Sequence, residues 1–274
     1  MNIAEDYRNA GFPTAFDAYF FRKAWHIFWN YRAFMVKLIL LTAFIVTFFY
    51  VVLDKTIFSQ YGQLDLETAK PLDLLYSLLL VFIEQLIFLI PKSFLFVVFI
   101  FALPWMYENA EINFIDSLGT GFSKWMPLYL YSALITLLTD FGFVLLIIPG
   151  ILVVIQFTLV QFVVVLEENV KTIPRSFLLI AGKQWKVFAV YLIKVLVLVI
   201  LSFPLLMSMF SSAFEPASNY NSEGAVQSDT QLLYSFIEQV ILAGVTYFIT
   251  ILFFQLYMMA RIENNEIEIV QTDK

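Results

Sequence analysis

Residues 108–125 read ENAEINFIDSLGTGFSKW, and residues 168–185 read ENVKTIPRSFLLIAGKQW. In both, a Glu-Asn pair closes an apolar run, and a Trp opens the next run 17 positions after the Glu. A third pair, Glu263-Asn264, closes the last apolar run. A unit repeated at fixed spacing constrains architecture before any single residue is interpreted. Here the unit reads as an interfacial segment, a Trp, a membrane crossing, an outer turn, a return crossing and a Glu-Asn pair.

Around these connectors the chain is almost wholly apolar. Of its 274 residues, 61% are hydrophobic and 14% charged, whereas a soluble domain carries roughly 25% charged residues. The deficit of charge predicts an integral membrane protein. The 31 Phe residues suit lipid-facing and helix-packing surfaces, while Trp and Tyr favour the headgroup level. Six stretches are long enough to cross a hydrocarbon core of about 30 Å. They lie at about 34–53, 84–106, 126–146, 149–166, 187–208 and 236–260. The fold expected is all-α and polytopic, with six transmembrane helices in pseudo-repeated hairpins forming a single integral membrane domain.

The boundaries follow from counting. The second apolar run begins near residue 72, and at 1.5 Å per residue Glu84 lies about 36 Å from Glu108, one full crossing. Residues 73–83 are therefore predicted to form a short surface helix, and Pro91 to loosen the span after it. The turn between spans three and four falls either at Asp140-Phe141-Gly142 or at Pro149-Gly150. Length does not choose between them.

Residues 14–32, TAFDAYFFRKAWHIFWNYR, repeat aromatic positions at helical spacing. Phe16, Phe20, Phe21, Ala24, Trp25, Phe28 and Trp29 share one broad face, with Arg22, Lys23 and His26 largely elsewhere. With 108–124 and 168–186 they give three interfacial amphipathic helices on one face of the membrane. Base clusters in 22–37 and 171–186, and acid in 54–73 and 215–229. The two outer loops hold only Lys55 and Lys70 as basic residues. The positive-inside rule then places both termini in the cytoplasm and the amphipathic segments on the cytoplasmic face. The N-terminus, MNIAEDYRNAGF, lacks the apolar core of a signal peptide, so the first span is expected to act as an uncleaved insertion signal into the cell (inner, cytoplasmic) membrane.

Several chemistries are disfavoured outright. The chain has no Cys and one His, His26. Disulfides and thiolate chemistry are thereby excluded, a His/Cys metal centre has no ligand set, and a Ser-His-Asp triad would depend on this one imidazole. No continuous basic patch suggests nucleic acid. Neither catalytic residues nor a cofactor are expected. The partners expected are membrane lipids, together with membrane or envelope proteins that the sequence does not identify.

The strongest local match lies at the outer ends of spans two and six. Leu-Leu-Tyr-Ser at 74–77 and at 232–235 is followed in each case by Phe-Ile-Glu-Gln, at Phe82–Gln85 and Phe236–Gln239. From these glutamates to the Glu-Asn pairs is 24 and 25 positions. Glu84, Gln85, Lys92, Glu238 and Gln239 are thus a candidate polar cluster in the outer half of the bundle. The plainer reading is two interfacial caps and a snorkelling Lys92. Gln156 and Gln161 in span four are candidates for interhelical hydrogen bonds. At the opposite ends of the spans, Lys37 and Lys194 follow Trp29 and Trp185 by 8 and 9 positions. With Lys183, Lys186, Trp29, Trp125 and Trp185 they are candidate lipid-headgroup contacts. Glu108, Glu168 and Glu263, with their Asn neighbours, are expected to cap helices or turn the chain.

The stretch 144–188 carries a family resemblance. Pro149-Gly150-Ile151 opens an apolar run that ends in Leu166-Glu167-Glu168-Asn169, and Ser176, Gly182, Trp185 and Phe188 follow. This resembles the bacterial membrane-domain family named for glycerophosphodiester phosphodiesterases, and its six-span relatives. The resemblance implies the fold and a cell-membrane location. It implies no catalysis, because in the namesakes the phosphodiesterase activity belongs to a separate soluble domain. The function expected is a non-enzymatic membrane module that organises lipids or protein partners, with a small transporter or permease as the alternative.

Overall fold

A chain entering a bilayer must satisfy its backbone hydrogen bonds internally, and a helix does so within each segment. The computed structural model describes residues 12–13, 15–53, 71–168, 170–213 and 224–264, and regular structure among them is helical, with no strand. The helices are α1 (Ala18–Asn30), α2 (Arg32–Leu53), α3 (Pro71–Tyr107), α4 (Phe114–Leu145), α5 (Ile147–Phe157), α6 (Val160–Leu166), α7 (Thr172–Ile180), α8 (Gln184–Ala213) and α9 (Gly224–Glu263). Within them, Arg32–Val52, Leu79–Tyr107, Phe114–Phe143, Ile147–Leu166, Gln184–Leu201 and Leu232–Glu263 are long and apolar enough to cross a membrane. The fold is therefore the expected six-span helical bundle, with α5 and α6 as two halves of span four. The acidic loops lie largely outside the described residues, as do Asn169 and the chain ends.

α9 is the central element. Residues 251–260, ILFFQLYMMA, are all buried, as a helix apolar on every side must be. It packs against α1, α2, α7 and α8, while α4 packs against α3, α5 and α6. Polar side chains in its buried half pair with other helices. The Tyr247 hydroxyl lies 2.7 Å from Thr42 Oγ1 on α2. Gln255 is fully buried. With its amide oriented to satisfy both ends, it donates to the Phe20 carbonyl at 2.9 Å and accepts from the Tyr107 hydroxyl at 2.7 Å, joining α1 and α3 to α9. A buried amide left unbonded is costly, so these contacts fix the relative height of the helices.

The first Glu-Asn pair ends a helix as expected. Asn109 adopts φ 56°, a left-handed conformation that Asn tolerates. Its N–H donates to the Met106 carbonyl at 3.4 Å, and that of Ala110 to Trp105 at 3.0 Å. This is the Schellman closure of α3. The chain then restarts at Asn113, whose side chain accepts from the Ile115 N–H at 3.1 Å.

Three expectations are revised. Residues 114–124 do not form a surface helix distinct from span three; α4 is continuous from Phe114 to Leu145, because only Glu108–Asn113 departs from helix. Residues 73–83 likewise belong to α3, which begins at Pro71 and continues through Pro91. Finally, the turn between spans three and four falls between the two proposed places. Leu146 alone is extended, with φ −164° and ψ 146°. Gly142 lies in α4, and Pro149 lies in the first turn of α5, where a missing N–H has no helical partner to lose.

The glycines flanking this turn serve close approach. A methyl group on Gly142 would lie 2.8 Å from the Gly150 Cα and 2.9 Å from its N. Gly142→Ala should therefore force α4 and α5 apart and lower stability by about 1–3 kcal/mol. Gly119→Ala, with nothing within 4 Å of the new methyl, should be neutral or stabilising by up to about 1 kcal/mol. Thermal unfolding in detergent micelles compares the two, and equal effects would contradict the close packing.

Candidate functional site

The end of span four is built by a charge that cannot be left alone. α6 stops at Leu166 and Glu167 turns extended, while α7 begins after Lys171. This brings Arg175 back over Glu167, with Nε 2.9 Å from Oε2. The Tyr257 hydroxyl of α9 donates to Oε1 at 2.8 Å, and the Arg261 Nη1 lies 3.5 Å from the same hydroxyl. Both carboxylate oxygens are thus occupied, and the Glu167 side chain is only 9% exposed. At the end of α9, Glu263 receives Lys183 at 2.9 Å and Lys186 at 3.5 Å. The last turns of α9 therefore clamp the α6–α7–α8 connector. Further links gather neighbouring termini: the Tyr31 hydroxyl donates to the Ala110 carbonyl at 2.9 Å, and Lys124 lies 3.8 Å from Glu168.

The residues singled out by sequence fall into three groups. Trp29 is exposed, with the Arg32 guanidinium 5.7 Å from its ring. Lys37 is exposed, and Trp185 is 81% exposed. Lys183, by contrast, is 8% exposed and held with Lys186 on Glu263, and Lys194 is half-buried. Trp125 is half-buried, and its indole donates to the Ile90 carbonyl at 3.2 Å and to Ser93 Oγ at 3.0 Å. One turn on, the Tyr129 hydroxyl reaches the Leu86 carbonyl at 3.5 Å. These two side chains hold α4 against α3 on either side of Pro91.

The third group is the outer one. Glu84 is half-buried and Gln85 exposed on α3, while Glu238 is exposed and Gln239 half-buried on α9. The Lys92 ammonium lies 5.8 Å from the Phe88 ring centre. At the far end of α3, Lys23 sits 5.9 Å from the Tyr107 ring, and burial lowers the pKa of its ammonium from the usual value.

Sequence reasoning passed over Glu167 and Tyr257. The repeat pointed to Glu168, which is 78% exposed, rather than to its neighbour. The available signal was the presence of Gln255 and Tyr257 in the otherwise apolar run 251–260, since polar groups at that depth need partners.

A second feature lies within span four. Helix geometry lapses at Thr158-Leu159, where the Thr158 N–H reaches the Ile155 carbonyl at 3.4 Å. Ser176 of α7 donates to the Gln156 carbonyl at 3.3 Å, binding α7 to the lapse. Beside it, a cavity of about 170 Å³ has Tyr131, Ser132, Thr136, Thr158, Gln161 and Tyr191 in its wall.

Fold and site together define the class, a six-span helical membrane protein with a charged clamp at one end. No protein-family model, curated protein or solved structure matches the chain.

The two adjacent glutamates make a direct test of burial. Glu167→Gln removes the buried carboxylate that Arg175 and Tyr257 both bind and should cost about 3–5 kcal/mol. Glu168→Gln removes only an exposed pair and should cost less than about 1 kcal/mol. Unfolding midpoints of the three proteins measure this, and similar losses at 167 and 168 would disprove the clamp.

Proposed function

We propose that the protein is a non-enzymatic membrane module whose basic end gathers anionic lipid headgroups and, through them, membrane or envelope protein partners. One observation carries the reading. Exposed indoles of Trp25, Trp29 and Trp185 stand with exposed Arg22, Arg32, Lys37 and Lys171 at the ends of the spans and on the segments that join them. Indoles favour the headgroup level, and each base near an anionic surface contributes about 1 kcal/mol. The bias of Lys and Arg toward these segments supports a cytoplasmic placement in the cell membrane, with both chain ends on that side. The resemblance of 144–188 to the membrane-domain family supports the same location and brings no catalytic group with it.

A small transporter is the second reading. The lapse in span four beside a polar cavity favours it, because interrupted helices line substrate sites in many carriers. Solute flux across proteoliposomes separates it from the first reading.

Lipid composition around the protein tests the first. In nanodiscs made from mixed phosphatidylglycerol and phosphatidylcholine, the protein should enrich phosphatidylglycerol. The combined variant Arg22→Gln, Arg32→Gln, Lys37→Gln and Lys171→Gln should lose that preference, by about fivefold for each base that contacts a headgroup. Enrichment unchanged in the variant would refute the proposal.

A further inference from the structure

The cavity beside Thr158 poses a question of its own, because its wall holds polar groups with unfilled hydrogen-bonding capacity. Among the described residues, Ser132, Thr136 and Gln161 make no side-chain hydrogen bond. Thr158 donates to the Val154 carbonyl at 2.7 Å, and the Tyr191 hydroxyl lies 3.3 Å from Thr158 Oγ1. A Gln amide offers two donors and two acceptor lone pairs, and each hydroxyl one donor and two lone pairs. Left unpaired in a bilayer, such groups are costly.

Depth and access indicate the ligand. Tyr191 follows Trp185 by six residues, and Gln161 precedes Glu167 by six. At 1.5 Å per residue each lies about 9 Å along its helix from the headgroup level. The wall is therefore just inside the hydrocarbon boundary. α4 packs on α5 and α6, and α8 packs on α5 and α9, so α4 and α8 flank the broken span. Both present apolar side chains outward, including Leu130 and Leu134 on one and Leu192, Val195 and Leu196 on the other. Among the described residues no charged side chain lines the cavity, so a phosphate or ammonium would enter without a counter-charge from them. Its volume, about 170 Å³, exceeds the roughly 30 Å³ that one water occupies in the liquid. It suits a small hydroxyl-bearing group.

We infer that this cavity binds the uncharged, hydroxyl-bearing headgroup of a membrane lipid, which enters sideways between α4 and α8. The lipid hydroxyl and ester oxygens pair with Gln161, Ser132 and Thr136, and its acyl chains lie along the apolar outer faces of the two helices. Ligand class and location both differ from the anionic headgroups at the basic end, so the two readings stand or fall separately.

Dioleoylglycerol is the probe. The full chain is placed in phosphatidylcholine nanodiscs containing a few mole per cent of it, and retained lipid is counted by native mass spectrometry after transfer to detergent. Wild type should retain one dioleoylglycerol. Gln161→Leu, which suits a lipid environment, should reduce its occupancy about tenfold, and the double variant Ser132→Ala, Thr136→Val should reduce it as well. Gly119→Ala, which lies outside the cavity wall and meets nothing within 4 Å of the new methyl, should not. Unfolding midpoints without the probe establish that the variants are folded. No preference for dioleoylglycerol over phosphatidylcholine, or retention unaffected by both cavity variants, would overturn the inference. So would glycerol uptake into proteoliposomes that is abolished by Gln161→Leu, since the site would then serve a water-soluble polyol. Phosphatidylglycerol enrichment, measured in the mixed phosphatidylglycerol and phosphatidylcholine discs, should be untouched by Gln161→Leu, which keeps a failure here distinct from a failure of the basic-end proposal.

Discussion

In lipid, apolar side chains gain little by leaving the solvent, because the acyl chains are as apolar as leucine, so helices associate through close packing and interhelical hydrogen bonds. α9 shows how this chain meets that constraint. Along one buried helix, Tyr247 reaches Thr42 on α2, Gln255 reaches α1 and Tyr107 at the end of α3, and Tyr257 reaches Glu167 beyond α6. Three polar side chains thus tie the central helix to three others and to the connector after α6. The apolar residues between them fill the volume, and the polar ones determine which helix lies at which height.

Much of this arrangement was legible in the sequence. Long apolar runs define crossings because a hydrocarbon slab has a fixed thickness, and Glu108-Asn109 could be read as a helix end because few residues other than Gly tolerate a left-handed turn as Asn does. The turn at Leu146 was hidden. Gly142, Pro149 and Gly150 look like punctuation, yet the two glycines permit backbone contact, and the proline occupies a position where it does no harm. A glycine required by a neighbour and a glycine required by a turn are indistinguishable in one sequence. The continuity of α4 was hidden for a related reason. Polarity changes at the membrane boundary whether or not the helix bends there.

The candidate site was legible only in outline. Spacing drew attention to Glu168 and to the outer Glu84 and Glu238, because repetition marks positions and says nothing about burial. Glu167 and Glu168 are consecutive on a short connector, and a small rotation of the backbone decides which one enters the bundle. That rotation is set by Arg175 and Tyr257, one on the next helix and the other on the last. α7 then unites the two features of interest. Consecutive residues of this nine-residue helix hold the charged clamp through Arg175 and the lapse in span four through Ser176. A displacement of α7 at the membrane surface would act on both.

The single-residue turn at Leu146 bears on biosynthesis. Leu146, Ile147 and Ile148 are all exposed and apolar, so the tip joining α4 to α5 contains no hydrophilic loop that must be dragged through the bilayer. The usual penalty for moving polar backbone and side chains across hydrocarbon is largely absent there. With Gly142 already against Gly150, the two helices are suited to leave the insertion machinery as one pre-paired hairpin, in a single event rather than two successive crossings.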